Sequence, residues 1–409
     1  MTNAAEANLL WRFRFPPAVM PFRQVTALSK MFFRARRLTL PAGRALSRPR
    51  GQRIISPMIE ALHIVDSSTR PDMLEQLDIL AGANDRVLSA GPPPQGLARP
   101  VTPVHCTMGS SRLAGWRMRD QAGSARIIHA WSQQALWAGR ELALTTGRAM
   151  VLSIPAAPTT PADWETLRQA VGPGLLNVVV PTDFACRRLI TAGLPPAFCH
   201  VLAPAARVLD NADEARGRVR EALGIGGDTK LLVAPDPFVR YAGHEYASWS
   251  HAILRHVPFE LRLAFPSSGP MEDHVRFFAH TTGFDNEVHF THGRFTVEQV
   301  IAAADIAAFP QTRDVGVVYL SAAMAAGRAI AASGVGGMTE LAPDGQAALL
   351  SGTGPRETSA ALMRLAEDDE LARRLGRAAR ERAGELFEPI AAAARLQAIY
   401  AAAMENKAH

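Results

Sequence analysis

The stretch 314–340, DVGVVYLSAAMAAGRAIAASGVGGMTE, carries the residue pattern best suited to gripping an anion. Gly316 stands where a loop turns into a short apolar helix over 317–326. The first unpaired N–H groups, at Gly316, Val317 and Val318, and the positive end of the helix dipole make a seat for a phosphate that needs no side chain. A buried strand follows over 328–332. At Gly336-Gly337 the backbone can then approach a ligand with no Cβ in the way, and Glu340 comes in the next helical turn. An ordinary helix start in an α/β sheet explains the first of these features. It does not explain the glycine pair with Glu340 behind it.

The elements that must position these residues alternate regularly. From Met58 the sequence predicts a strand over 61–66, a helix over 72–82, a strand through Val87-Leu88 and, after a Pro-rich loop, a strand over 126–129. A helix over 133–145, strands over 150–154 and 176–180 and a helix over 183–192 complete a first unit. A polar stretch near 205–215 marks a boundary. A second unit has strands over 230–235, 261–265, 288–291, 306–309 and 329–332, with helices between them, and the chain is helical after Gly354. Such alternation means α/β architecture with parallel sheets and ligands at the strands' carboxyl ends. The expected division is a tail over 1–57, two Rossmann-like domains over 58–205 and 206–385, and a last helix over 386–409.

Composition limits the function classes. The 409 residues suit two domains of ordinary size. Eleven of the 44 Lys/Arg but only one of the 38 Asp/Glu fall in residues 1–57, so the tail carries +10 and the remainder, 33 basic against 37 acidic, carries −4. A nucleic-acid partner is therefore not expected. Val25, Leu28, Met31, Phe32, Ala35 and Leu38 share one helical face within 23–38, the pattern of a basic amphipathic helix on an anionic membrane surface. The alternative is a disordered tail, or sequence upstream of a start at Met58. Cys106, Cys186 and Cys199 are an odd set with no metal or redox spacing, which implies a reducing cytoplasm, possible peripheral contact at the inner membrane face aside. No apolar run reaches the ~18 residues of a membrane span.

The 314–340 stretch resembles the donor-binding motif of the family-4 glycosyltransferases of the GT-B fold, E-G-F-G-L-x-x-L-E-A-M-A-x-G-x-P-V-V-A-x-x-x-G-G-x-x-E. The match holds at Gly316, Ala323-Met324-Ala325, Gly327, Gly336-Gly337 and Glu340. It departs at both carboxylates of the E-x7-E pair, where Asp314 and Ala322 stand. The resemblance implies two Rossmann-like domains facing a cleft, the acceptor on the first and the donor on the second, with the last helix crossing back onto the first.

It also implies roles. Asp314 stands where a carboxylate faces the donor sugar, although it is one methylene shorter than Glu; Ala322 cannot hold a ribose. The family's G-R-x-x-x-x-K-G loop, whose Arg and Lys neutralise the donor pyrophosphate, aligns with Pro237 and Ala242, so both charges are gone. Arg240 in the same loop supplies one charge or is a surface arginine. IIHAWS, 127–132, resembles the D-V-x-H-x-H strand end. There His129 is either a ligand contact or a buried histidine capping a strand, and Trp131 replaces the second histidine. The loop 67–71 replaces a glycine-rich turn over the donor phosphates, and in it Arg70 offers a positive charge or Thr69 an N-cap.

The implied function is a retaining, hexosyltransferase-type transfer from a nucleotide-diphosphate sugar such as a UDP- or GDP-sugar to a glycan, lipid or small-molecule acceptor, with no metal and no resident cofactor. The alternative is a GT-B scaffold that has lost turnover and binds a glycan, nucleotide or partner. A sugar-nucleotide epimerase on the same fold fits the 314–340 motif less well.

Overall fold

Continuous apolar runs make the strands. ALHIV, IIHA, LNVVV and AIAAS are buried at nearly every position, as expected where helices cover both faces of a parallel sheet. The computed structural model describes residues 58–104, 111–170, 176–255, 260–281, 283 and 286–408. The expected helix over 23–38 and Cys106 lie outside them.

The first sheet comprises β1 (Ala61–Val65), β2 (Arg86–Ala90), β3 (Val101–Val104), β4 (Ile127–Ala130), β5 (Ala149–Ser153), β6 (Leu176–Val180) and β7 (Cys199–Val201). Its order is β3-β2-β1-β4-β5-β6-β7. The second comprises β8 (Lys230–Val233), β9 (Leu261–Phe265), β10 (Val288–Phe290), β11 (Ile306–Phe309), β12 (Ala329–Ser333) and β13 (Leu349–Ser351), in the order β10-β9-β8-β11-β12-β13. The strand pairs are parallel in both sheets. In each, the order reverses once, between β1 and β4 and between β8 and β11. Those switch points open crevices at the carboxyl ends of the strands.

The helix Pro389–Ala408 lies on the first sheet, where Leu396, Tyr400 and Ala403 join a core with Val65, Leu77, Ile127 and Val151. The two chain crossings between the units run side by side, the Ala206 amide donating to the Phe387 carbonyl at 3.0 Å. The stretch expected to be only a polar boundary also contains a helix, Ala212–Ala222, whose Arg216 and Arg220 are held by Asp305. Among the described residues no helix is long and apolar enough to cross a membrane.

Candidate active site

A cavity of about 430 Å³, within the range of small-molecule sites, joins the two crevices. Ser68 and Arg70 after β1, Trp131 after β4, residues after β5, the turn Val239-Arg240-Tyr241 after β8, and Asp314-Val315 after β11 line it. Ligand-facing loops of both sheets thus meet around one space.

The loop carrying Asp314 is fixed from beneath. Gln311, fully buried, donates through Nε2 to Asp236 Oδ2 and to the Gly316 carbonyl, both at 2.8 Å, and accepts from the Val315 amide at 3.2 Å. Asp236 in turn takes His244 Nε2–H on its carbonyl at 2.9 Å. Burial pushes the Asp236 carboxyl up to about 7, against the Gln311 hydrogen bond and Arg70 and with the help of Asp72 and Asp314. Burial also pushes His244 down to about 4, so it is neutral. The neighbouring turn is tight: Tyr241 is a non-glycine at φ 72°, and a Cβ at Gly243 would lie 1.9 Å from the Pro310 carbonyl oxygen. Sequence reading missed Gln311 and Asp236, because single polar residues after strands carry no periodic signal.

Asp314 is only 6% exposed. Its Oδ1 accepts from the Gly316 amide at 3.2 Å, and its Oδ2 is buried with no hydrogen-bond partner. Burial pushes its carboxyl up, while the Gly316 and Gly337 amides favour the charge. It packs on Gly336, where φ is 53° and an added Cβ would lie 2.5 Å from the Asp314 side chain. The glycine is therefore required by a carboxylate of the protein itself.

The amide seat at Gly316-Val317-Val318 is covered in this arrangement. All three residues are buried, and a Cβ at Gly316 would meet Pro155 of the first unit at 3.1 Å. The space beside Val318 is about 30 Å³, room for a water and too small for a phosphate. Gly337 likewise abuts Thr182 of the first unit. Glu340, expected at the donor, instead spans the units: its two oxygens accept from the Asp183 and Phe184 amides, each at 2.9 Å. It caps the helix Asp183–Thr191, which Thr182 also caps. Glu340→Ala is expected to lower stability by about 1–2 kcal/mol in a thermal melt. An unchanged Tm would show that the bridge does not form in solution.

Arg70 is also a bridge. It grips Asp72 through Nε at 3.0 Å and Nη2 at 2.6 Å, and donates from Nη1 to the Val315 carbonyl at 2.7 Å. Its charge is largely answered by Asp72. Thr69 does not cap the helix Pro71–Leu80; its hydroxyl accepts from the Asp66 amide.

His129 does not reach the cavity. It is fully buried, with one ring nitrogen 2.7 Å from the Tyr400 hydroxyl and the other 2.8 Å from Ser153 Oγ. Burial holds its pKa well below the usual range, as does the nearby His63. Trp131 stacks on it at 4.3 Å and donates to His63 Nδ1 at 3.0 Å, forming part of the cavity floor. The capping alternative describes this histidine.

Arg240 and Arg313 are exposed, with guanidinium carbons 5.6 and 4.5 Å from the Tyr241 ring centroid. Arg313 Nη1 also reaches the Thr159 carbonyl of the first unit at 3.3 Å. Two cations thus stand at the rim, although Pro237 and Ala242 offer none. Arg313 was not singled out from sequence, since its approach to Arg240 depends on two loops meeting.

Residues 240–368 match the family described as Glycosyl transferases group 1. A 204-residue stretch is 31% identical to D-inositol 3-phosphate glycosyltransferase of Corynebacterium glutamicum (strain R); it covers 48% of this chain and spans about half, 49%, of that relative. Among solved structures, Anabaena Alr3699/HepE in complex with UDP and glucose aligns with a TM-score of 0.72 at 17% identity, over 84% of this chain and 99% of that one. A glycosyltransferase from Rickettsia africae aligns with a TM-score of 0.66 at 12% identity, over 86% and 100%. Two parallel Rossmann-like units facing one cleft, with a last helix returning to the first, have the GT-B fold of glycosyltransferases.

Proposed function

We propose that the chain is a glycosyltransferase of hexosyltransferase type, moving a sugar with retention of configuration from a UDP- or GDP-sugar to a glycan, lipid or small-molecule acceptor. One observation carries the reading: a single cavity joins the switch points of both sheets, and Asp314 presents a buried, unpartnered carboxylate oxygen beside it. UDP and glucose are bound by the Anabaena relative of the same fold. In this reading Asp314 Oδ2 accepts from the sugar hydroxyls. Arg240 and Arg313 face the diphosphate and stabilise the charge that grows on it as the glycosidic bond breaks. Gly336-Gly337 hold Asp314 in place. Use of the amides at Gly316-Val317-Val318 requires the units to part at Pro155 and Thr182 first. No metal or resident cofactor is assigned, and the basic face over 23–38 adds an expected contact with an anionic membrane surface.

The experiment is thermal stabilisation by millimolar UDP- and GDP-sugars, together with donor hydrolysis. The double variant Arg240→Ala/Arg313→Ala is expected to weaken donor binding roughly a hundredfold, about tenfold for each charge-assisted contact. Equal affinity in the variant would place the diphosphate elsewhere.

A second reading, a scaffold without turnover that binds a glycan, nucleotide or partner, is favoured by the charge of the buried site. Asp72, Asp236 and Asp314 are all buried there, and Arg70 is tied to one of them. Stabilisation by no nucleotide at millimolar concentration would select this second reading.

A further inference from the structure

Cys186 and Cys199 stand thirteen residues apart, in a set of three cysteines with no metal or redox spacing. The fold brings them together. Cys186 lies in the first turn of the helix Asp183–Thr191, and Cys199 opens the edge strand β7, which pairs with β6. Their Sγ atoms are 2.7 Å apart, inside the usual separation of two unbonded sulfurs though longer than the bonded distance of about 2.05 Å, and both are free thiols. Both residues are half-buried, so a small reagent can reach them.

We infer that Cys186 and Cys199 are an oxidisable dithiol, a redox modification site whose co-reactant is a low-molecular-weight disulfide. Burial and the adjacent Cys186 push the Cys199 thiol up. Whichever thiol ionises attacks one sulfur of the small disulfide; that S–S bond breaks and one small thiolate leaves. The other cysteine's Sγ then attacks the protein sulfur of the mixed disulfide, and the second small thiolate departs with that cysteine's proton. The protein thiols lose two electrons, and the small disulfide is reduced to two thiols.

The location gives the bond a structural reach. The helix turn bearing Cys186 is the one whose amides Glu340 grips from the second unit. β7 leads directly into the crossing at Ala206. A disulfide would tie these two parts of the interface wall together.

The test incubates the full chain with glutathione disulfide or with dithiothreitol, counts thiols after denaturation, and maps the linked peptides. The sequence supplies three thiols, so the expected count after oxidation is one, with Cys186 joined to Cys199. The oxidised form is expected to melt on the order of 4 °C higher. Cys186→Ser and Cys199→Ser should each abolish that difference and leave a glutathione on the remaining partner. Mapping on the unsubstituted chain keeps the inference open to refutation should either variant fold poorly. Three thiols surviving oxidation, or a bond that engages Cys106, overturns it.

Discussion

Gly336→Val is expected to abolish the thermal shift produced by a UDP- or GDP-sugar while leaving the chain folded. The backbone at Gly336 is left-handed, and an added Cβ would lie 2.5 Å from Asp314 Cβ, Cγ and Oδ2. A branched residue there must bear roughly 1–2 kcal/mol of backbone strain and push Asp314 off its present position. The strain lowers Tm by a few degrees at most in a chain of this size. Displacing Asp314 removes a charge-assisted contact worth roughly 1.5–3 kcal/mol, a loss of about 10–150-fold in affinity. Gly316→Trp acts on the facing surface: φ there is 123° and Pro155 closes the space. Titration of each variant with the donor, followed by circular dichroism to confirm folding, separates the two effects. Unchanged affinity in both would mean that the sugar lies outside this cavity.

Asp236→Asn is expected to change the pH dependence of stability more than any other single substitution in the site. The folded carboxyl is raised to about 7 from an unfolded value of 3.8. Below 3.8 the neutral acid is accepted in both states; as pH rises towards 7 the unfolded chain ionises first and the folded state loses up to about 4 kcal/mol. The asparagine variant has no such loss. Buried His244, lowered to about 4 from 6.5, works in the opposite sense, adding stability between those values, and buried His129 does the same. The wild-type curve therefore mixes both trends, and the diagnostic quantity is the difference between variant and wild type. That difference should grow in favour of the variant from about pH 4 to about pH 7 and then level off. A flat difference across urea melts in that window would show that Asp236 is not buried as an acid.

The strands the sequence revealed are those whose runs are apolar throughout, such as β1, β6 and β12. Those it did not reveal, β3, β7 and β13, are edge strands of three or four residues. β3 contains Pro103 and is largely exposed, and β7 and β13 are half-buried throughout. An edge pairs on one side only, so it tolerates proline and polar residues and leaves no hydrophobic period to read. The site divides in the same way. Gly316 and Gly336 were legible because their left-handed backbone favours glycine, and Asp314 only through the motif that its stretch resembles. Glu340 meets amides 157 and 156 residues away, Arg70 a carbonyl 245 residues away, and His129 a hydroxyl 271 residues away. No spacing rule in a single chain reports such meetings. They decided which charged groups face the cavity and which hold the units together.

The paired crossings at Ala206 and Phe387 limit what opening can look like. Because the two passages are hydrogen-bonded to each other, they would serve any opening as one shared pivot rather than as two independent tethers. A rotation about that point would separate Glu340 from Asp183, Arg70 from Val315 and Gly316 from Pro155 without breaking a ladder in either sheet. If the chain takes a donor as proposed, a gape widening outward from that hinge would admit it.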